Sequence, residues 1–146
     1  STYEAPVDVP EGSIQTEKIL TDYFDSSKQP WVDTEFSGRS DYAPFIEMGV
    51  PSSGLFTGAD GSKTADEVAK FGGTVGIMYD PNYHTPADDI TNINVEALGI
   101  MSDAIAHATG TLAYDTSMIN GKRSAGKSGK PHPKKGTQVA PDEAAA

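Results

Sequence analysis

No cysteine occurs in the 146 residues, which excludes disulfides, thiolate metal sites and cysteine nucleophiles together and leaves the redox compartment open. Histidine is scarce, at three copies, and basic residues are few in the body: positions 1–121 hold 5 Lys/Arg against 19 Asp/Glu, a net charge of −14. Such an acidic body excludes a nucleic-acid-binding surface, which needs a basic face. No apolar run approaches the roughly 18 residues of a membrane span, so no membrane partner is expected, and nothing at the start reads as a signal peptide. Apolar residues make up 36% of the chain, enough for one modest core and one domain at most. The chain opens on Ser1 in place of Met, the expected mark of a processed or trimmed piece. HExxH, GxSxG, Walker and GxGxxG patterns are all missing.

What is present alternates between helical and strand-like segments. After a Pro-rich opening, Ser13 is placed to cap a helix running to about Gln29, with Ile19, Leu20, Tyr23 and Phe24 on one stripe. WVDTEFS (31–37) and VPSSGLFTG (50–58) read as short strands, and GRSDYAPFIEMG between them as a turn into a short helix capped by Ser40. GADGS (58–62) reads as a turn. TADEVAKFGG carries a capping box, Thr64 with Glu67, and stops at Gly72-Gly73. Asn94 is expected to cap the longest helix, Val95 to Tyr114, with Leu98, Met101, Ile105, Ala108 and Leu112 on its apolar stripe. This pattern indicates an α/β layer architecture. Two or three strands are few for a self-sufficient sheet, so residues 1–117 read as the second half of a larger α/β domain. Residues 118–146 read as a flexible Gly/Ser/Pro/Ala-rich tail, whose last 25 residues carry 6 Lys/Arg against 2 Asp/Glu.

Of the histidines, His132 falls in the tail, and His107 follows Asp103 by four residues, the spacing of a solvated helical pair. His84 differs, because YDPNYHTPADDITNIN places it in a loop after the strand-like TVGIMY, where α/β folds keep their active residues. From the residues alone it is a metal ligand, a catalytic base or a plain loop residue. Catalytic zinc takes about three protein ligands and an open position, and no second convincing histidine accompanies His84. Asp88 and Asp89 either orient its imidazole from behind or serve as turn residues bonding backbone amides. Arg39, isolated in the acidic body, either pairs with a nearby Asp or offers a forked donor to substrate.

Taken together, GRSDYAPFIEMGVPSSGLFTGA and KFGGTVGIMYDPNYHTPADDITNIN resemble the C-terminal part of the streptomycete-type zinc aminopeptidases, over about Ile14 to Tyr114. The resemblance implies a three-layer α/β/α domain with a mostly parallel sheet, of which this chain holds the C-terminal half. It implies a hydrolase releasing N-terminal, large apolar residues from peptides with a free N-terminus, using two zinc ions, and a secreted protein. Carried over by motif, His84 is the last protein ligand of the zinc pair and Tyr83 the tyrosine that stabilises the tetrahedral intermediate. Arg39 lies near the substrate's amino end, Gly38 and Phe56 line the side-chain pocket, and Asp103 is a carboxylate of a calcium site found in some members. Departures are visible: Tyr42 stands where the family usually has His, Gly99 holds the companion position to Asp103, and Asn82 and Ala87 occupy the positions of a cysteine pair found in a close relative. The remaining zinc ligands and the glutamate base of the family lie upstream of Ser1. The expectation is therefore a chain inactive alone, completed by the N-terminal portion of the same enzyme. The alternative is a non-catalytic binding module built on the same half-fold.

Overall fold

The computed structural model describes residues 9–121. The Pro-rich opening and most of the basic tail lie outside the described residues. The described residues form five α-helices: α1 Ser13–Ser27, α2 Ala43–Glu47, α3 Ala65–Phe71, α4 Val95–Tyr114 and α5 Ser117–Asn120. A 3-10 turn, Ile90–Asn92, precedes α4.

The helix boundaries follow their caps. Thr64 accepts from the Glu67 N–H while the Glu67 carboxylate accepts from the Thr64 N–H, the expected capping box, and α3 ends at Gly72. Asn94 Oδ1 accepts from the Ala97 N–H at 3.0 Å and starts α4. At α1 the cap differs from expectation. Gly12 is the N-cap and Ser13 is the first helical residue, its hydroxyl buried and accepting from the Ser52 N–H at 3.1 Å. That bond ties the start of α1 to the 51–53 loop, 39 positions away. At α2 the Ser40 hydroxyl caps nothing, and the first turn is closed by the Ala43 N–H donating to the Ser40 carbonyl.

The core sits between α1 and α4, with α5 also packed on α1. Ile19, Leu20 and Phe24 of α1 are buried with Ile46 and Ala104, so α1 buries the face its periodicity marks out. On α4 the apolar stripe divides. Met101, Ala108 and Leu112 face the core with Ala104, whereas Leu98 and Ile105, one step around the helix, are each 56% exposed. No large side chain is completely buried among the described residues.

The two segments expected as strands, 31–37 and 50–58, carry no β-ladder. The reason is physical: a strand exists only when a neighbour takes up its backbone N–H and C=O groups, and no described segment pairs its backbone with either in a ladder. Among the described residues the single β pairing is an antiparallel bridge between Ser62 and Met78. α5 crosses the boundary expected at 117/118, so helical structure continues to Asn120.

Candidate functional site

The bridge at Ser62 and Met78 matters because it delivers the histidine loop. Segments 59–63 and 76–80 run antiparallel, joined by Lys63 N–H to Ile77 O (3.0 Å), Gly76 N–H to Lys63 O (2.8 Å), Tyr79 N–H to Gly61 O (2.9 Å) and Asp80 N–H to Ala59 O (2.9 Å). The GADGS turn is one arm of this clip. Gly58, at φ +106°, lies so close to the Tyr79 ring that an added Cβ would fall 2.2 Å from Cγ. The Lys63 ammonium sits 5.2 Å from the centre of the same ring. The Tyr79 hydroxyl is buried and makes no hydrogen bond among the described residues, and burial pushes its pKa up, with the Glu67 carboxylate adding to the rise.

From Asp80 the chain turns back on itself. The Tyr83 N–H donates to Asp80 O (3.2 Å), Thr85 N–H and Oγ1 both donate to Asn82 O (2.9 and 2.7 Å), and Asp88 N–H donates to Thr85 O (3.0 Å). His84 lies in the left-handed region, at φ +56°. Its imidazole is exposed, makes no hydrogen bond among the described residues, and lies under the half-buried Tyr83 ring at 3.9 Å between centroids. Both ring nitrogens are therefore free to act as a metal ligand or a proton carrier.

Asp89 caps the following 3-10 turn. Its Oδ1 accepts from the Thr91 hydroxyl (2.6 Å) and N–H (2.8 Å), and these two bonds, hydroxyl first, hold its pKa below the usual carboxylate range. Asp88 accepts from Asn92 at 3.1 Å. Neither carboxylate bonds the His84 ring, so both act as turn residues here.

The other expected site residues lie on separate segments. Gly38, at φ +80°, makes the tight turn before Arg39, and its N–H donates to the Tyr42 hydroxyl at 2.7 Å. Tyr42 stacks on Phe36, 3.9 Å between centroids; the phenol in place of the family's His thus fixes the turn bearing Arg39. The Arg39 guanidinium is exposed and unpaired among the described residues. Phe56 is 57% exposed. Asp103 is exposed on the polar side of α4, where His107 does not pair with it but packs at a tilt of 31° against the Tyr23 ring, 4.9 Å between centroids. No hydrogen bond, ion pair or ring contact joins Arg39, Phe56 or Asp103 to the Tyr83–His84 pair among the described residues. Nor do three His, Asp or Glu side chains converge anywhere among them to hold a metal ion. The recess of about 550 Å³ lined by Asp25, Trp31, Asp33 and Lys70 includes none of these residues.

The family model for peptidase family M28 matches residues 9–109, a span that includes Gly38, Arg39, Phe56, Tyr83, His84 and Asp103. The chain belongs to peptidase family M28. Among M28 relatives, a "probable leucine aminopeptidase 2" of Aspergillus oryzae is 49% identical over 110 residues, covering 75% of this chain and 22% of its own length. The leucine aminopeptidase 2 of Arthroderma otae is 40% identical over 129 residues, 85% of this chain and 26% of its own length. An aminopeptidase of Pseudomonas aeruginosa is 44% identical over 111 residues, 76% of this chain and 21% of its own length. The chain thus spans about a fifth to a quarter of the curated relatives it matches.

Sequence reasoning gave no part to Asn92 or Asp80, read Tyr42 only as a departure from the family motif and Gly58 only as part of a turn, yet all four build the local frame. One signal was available: Asp80, Asn82, Asp88 and Asn92 crowd one loop with short side chains suited to bonding one another and the backbone.

Proposed function

We propose that this chain is the C-terminal portion of a secreted zinc aminopeptidase of the streptomycete type, one that releases N-terminal, large apolar residues from peptides. The observation that carries this reading is the M28 match across all six expected site residues, with relatives described as aminopeptidases. The exposed apolar side chains of Leu98, Ile105 and Phe56 and the unpaired segments 31–37 and 50–58 agree with a half of a three-layer α/β/α domain. In that domain the upstream portion, in the same polypeptide or as a cleaved partner chain, supplies the neighbouring strands and covers these surfaces.

The described residues by themselves do not fit a zinc pair, since no three donors gather. The exposed His84 ring, with both nitrogens free, fits as one donor of it. When bound, the zinc pair supplies the positive charge that acidifies water and polarises a peptide carbonyl.

Within this chain, His84 offers one ring nitrogen as a ligand and the other as a donor toward solvent or a carboxylate of the upstream portion. The Tyr83 O–H donates a hydrogen bond to the oxygen on which negative charge develops when the carbonyl is attacked. Near the substrate's amino end the Arg39 fork, which can only donate, serves a carbonyl or carboxylate oxygen and not the ammonium, and Gly38 with Phe56 walls the pocket for the first side chain. The glutamate that accepts the water's proton and passes it to the leaving amine comes from upstream. A calcium ion would find one carboxylate at Asp103 and none at Gly99. The test is hydrolysis of leucine p-nitroanilide by this chain alone and joined to its upstream portion. Turnover is expected only in the joined form, and turnover by the chain alone would refute the division of the site.

A further inference from the structure

The loop from Asp80 to Asn92 is closed by a single carboxamide. Asn92 Nδ2 donates to Asp80 Oδ1 (3.0 Å) and Oδ2 (3.2 Å) and to Asp88 Oδ1 (3.1 Å), while Asn92 Oδ1 accepts from Asn82 Nδ2 (2.8 Å). Asp80 Oδ1 also accepts from the Asn82 N–H at 2.9 Å. A side-chain amide has two N–H groups and one C=O, and all three are used. Its orientation follows from its partners, because ionised carboxylates only accept.

Residues 80, 82, 88 and 92 thus meet at one group, with Tyr83 and His84 on the span between them. The His84 backbone is in the left-handed region, a conformation uncommon outside glycine that its surroundings must hold. The imidazole makes no hydrogen bond among the described residues and touches the Tyr83 ring, so its direction is set by the loop backbone. No cysteine is present to staple that loop covalently. The Asp89 side chain, next to Asp88, belongs to a separate device, bonding only Thr91 among the described residues, while the Asp89 carbonyl accepts from the Asn92 N–H at 2.9 Å.

We propose that Asn92 is a positioning residue for the Tyr83–His84 pair, a polar clasp that holds the loop in the conformation presenting the imidazole. The proposal rests on the reading of His84 as a zinc ligand. It acts on the metal and on the reacting carbonyl only through the loop, so it governs zinc retention and kcat and leaves ground-state substrate binding alone.

The test uses the complete enzyme that contains this chain, with variants Asn92→Ala, Asn82→Ala, Asp89→Ala and His84→Ala. Zinc retention against a chelator, kcat and KM for leucine p-nitroanilide, and thermal unfolding are measured for each. Asn92→Ala is expected to lower both kcat and zinc retention by about 10- to 100-fold, the range for groups that orient a metal ligand, with KM nearly unchanged. Asn82→Ala, which removes one arm, is expected to fall between Asn92→Ala and wild type. Asp89→Ala is expected to lower the unfolding temperature while keeping wild-type kcat and zinc retention. Wild-type kcat and zinc retention in Asn92→Ala would overturn the clasp, as would equal losses in Asp89→Ala. Should Asn92→Ala not fold, Asn82→Ala decides, and wild-type zinc retention there overturns it. If His84→Ala loses zinc and activity while Asn92→Ala does not, the clasp alone fails. If His84→Ala retains both, the zinc-ligand reading fails and the clasp with it.

Discussion

The phenol ring of Tyr83 lies nearly flat on the imidazole of His84, the centroids 3.9 Å apart and the planes 18° from parallel. Two neighbouring residues normally point apart; here the left-handed backbone at His84 brings the rings together. The two rings are thus in contact, the phenol and the imidazole carried by adjacent residues.

Tyr83→Phe keeps the stacked ring and removes only the O–H. In the complete enzyme kcat is expected to fall by about 10²- to 10³-fold, as when one donor to a developing oxyanion is lost, with KM little changed. Steady-state kinetics on leucine p-nitroanilide checks this, and a wild-type kcat would mean that the phenol is not used.

Gly58→Ala tests the clip that launches the loop. The new methyl would lie 2.2 Å from Tyr79 Cγ at a φ of +106°, so the ring must move or the turn must open. A loss of about 1–3 kcal/mol is expected, the usual cost of a residue forced into such a conformation, and chemical denaturation measures it.

The pH dependence follows from three capping carboxylates. Glu67 is held below the usual value of 4.5 by the Thr64 N–H first and the Thr64 hydroxyl second. Asp89 and Asp115 are held below 3.8 by hydrogen bonds from Thr91 and Ser117. A lowered folded pKa means that the unfolded chain binds protons first as pH falls. Each contribution is thus complete above the ordinary carboxylate value and lost as pH drops through the lowered one. Helix content followed by circular dichroism should hold steady from neutral pH to about pH 5 and decline below about pH 4. A decline that begins near pH 6 would contradict this assignment to the capping carboxylates.

Leu98 and Ile105 separate the chain alone from the complete enzyme. Exposed in this chain, they should tolerate Leu98→Ser or Ile105→Ser there within about 0.5 kcal/mol, as surface positions do. Covered by the upstream portion, the same substitutions should cost about 2 kcal/mol or more. Paired denaturation curves decide, and equal small effects in both settings would show that nothing covers this face.

How far the sequence carried the structure depended on where each signal lived. Caps act within four residues, so Thr64, Glu67, Gly72 and Asn94 placed α3 and α4 correctly. Ser13 misled because its hydroxyl answers a backbone group 39 positions away, which no local pattern encodes. The apolar stripe of α4 was wide enough to mark Leu98 and Ile105, but a stripe says which residues seek cover and not whether cover is present. Strands 31–37 and 50–58 have the composition of strands without a neighbour to pair with. Tyr83, His84, Gly38 and Arg39 were legible in the sequence as motif residues. Asn92 was not, because its part comes from a fold-back that joins positions 80, 82, 88 and 92 in space.

The most direct measurement is zinc content and peptidase turnover of the complete enzyme carrying His84→Ala. The account predicts loss of bound zinc and a fall in kcat/KM by orders of magnitude, with helix content kept because the His84 ring makes no hydrogen bond among the described residues. Wild-type zinc content and turnover in that variant would contradict it.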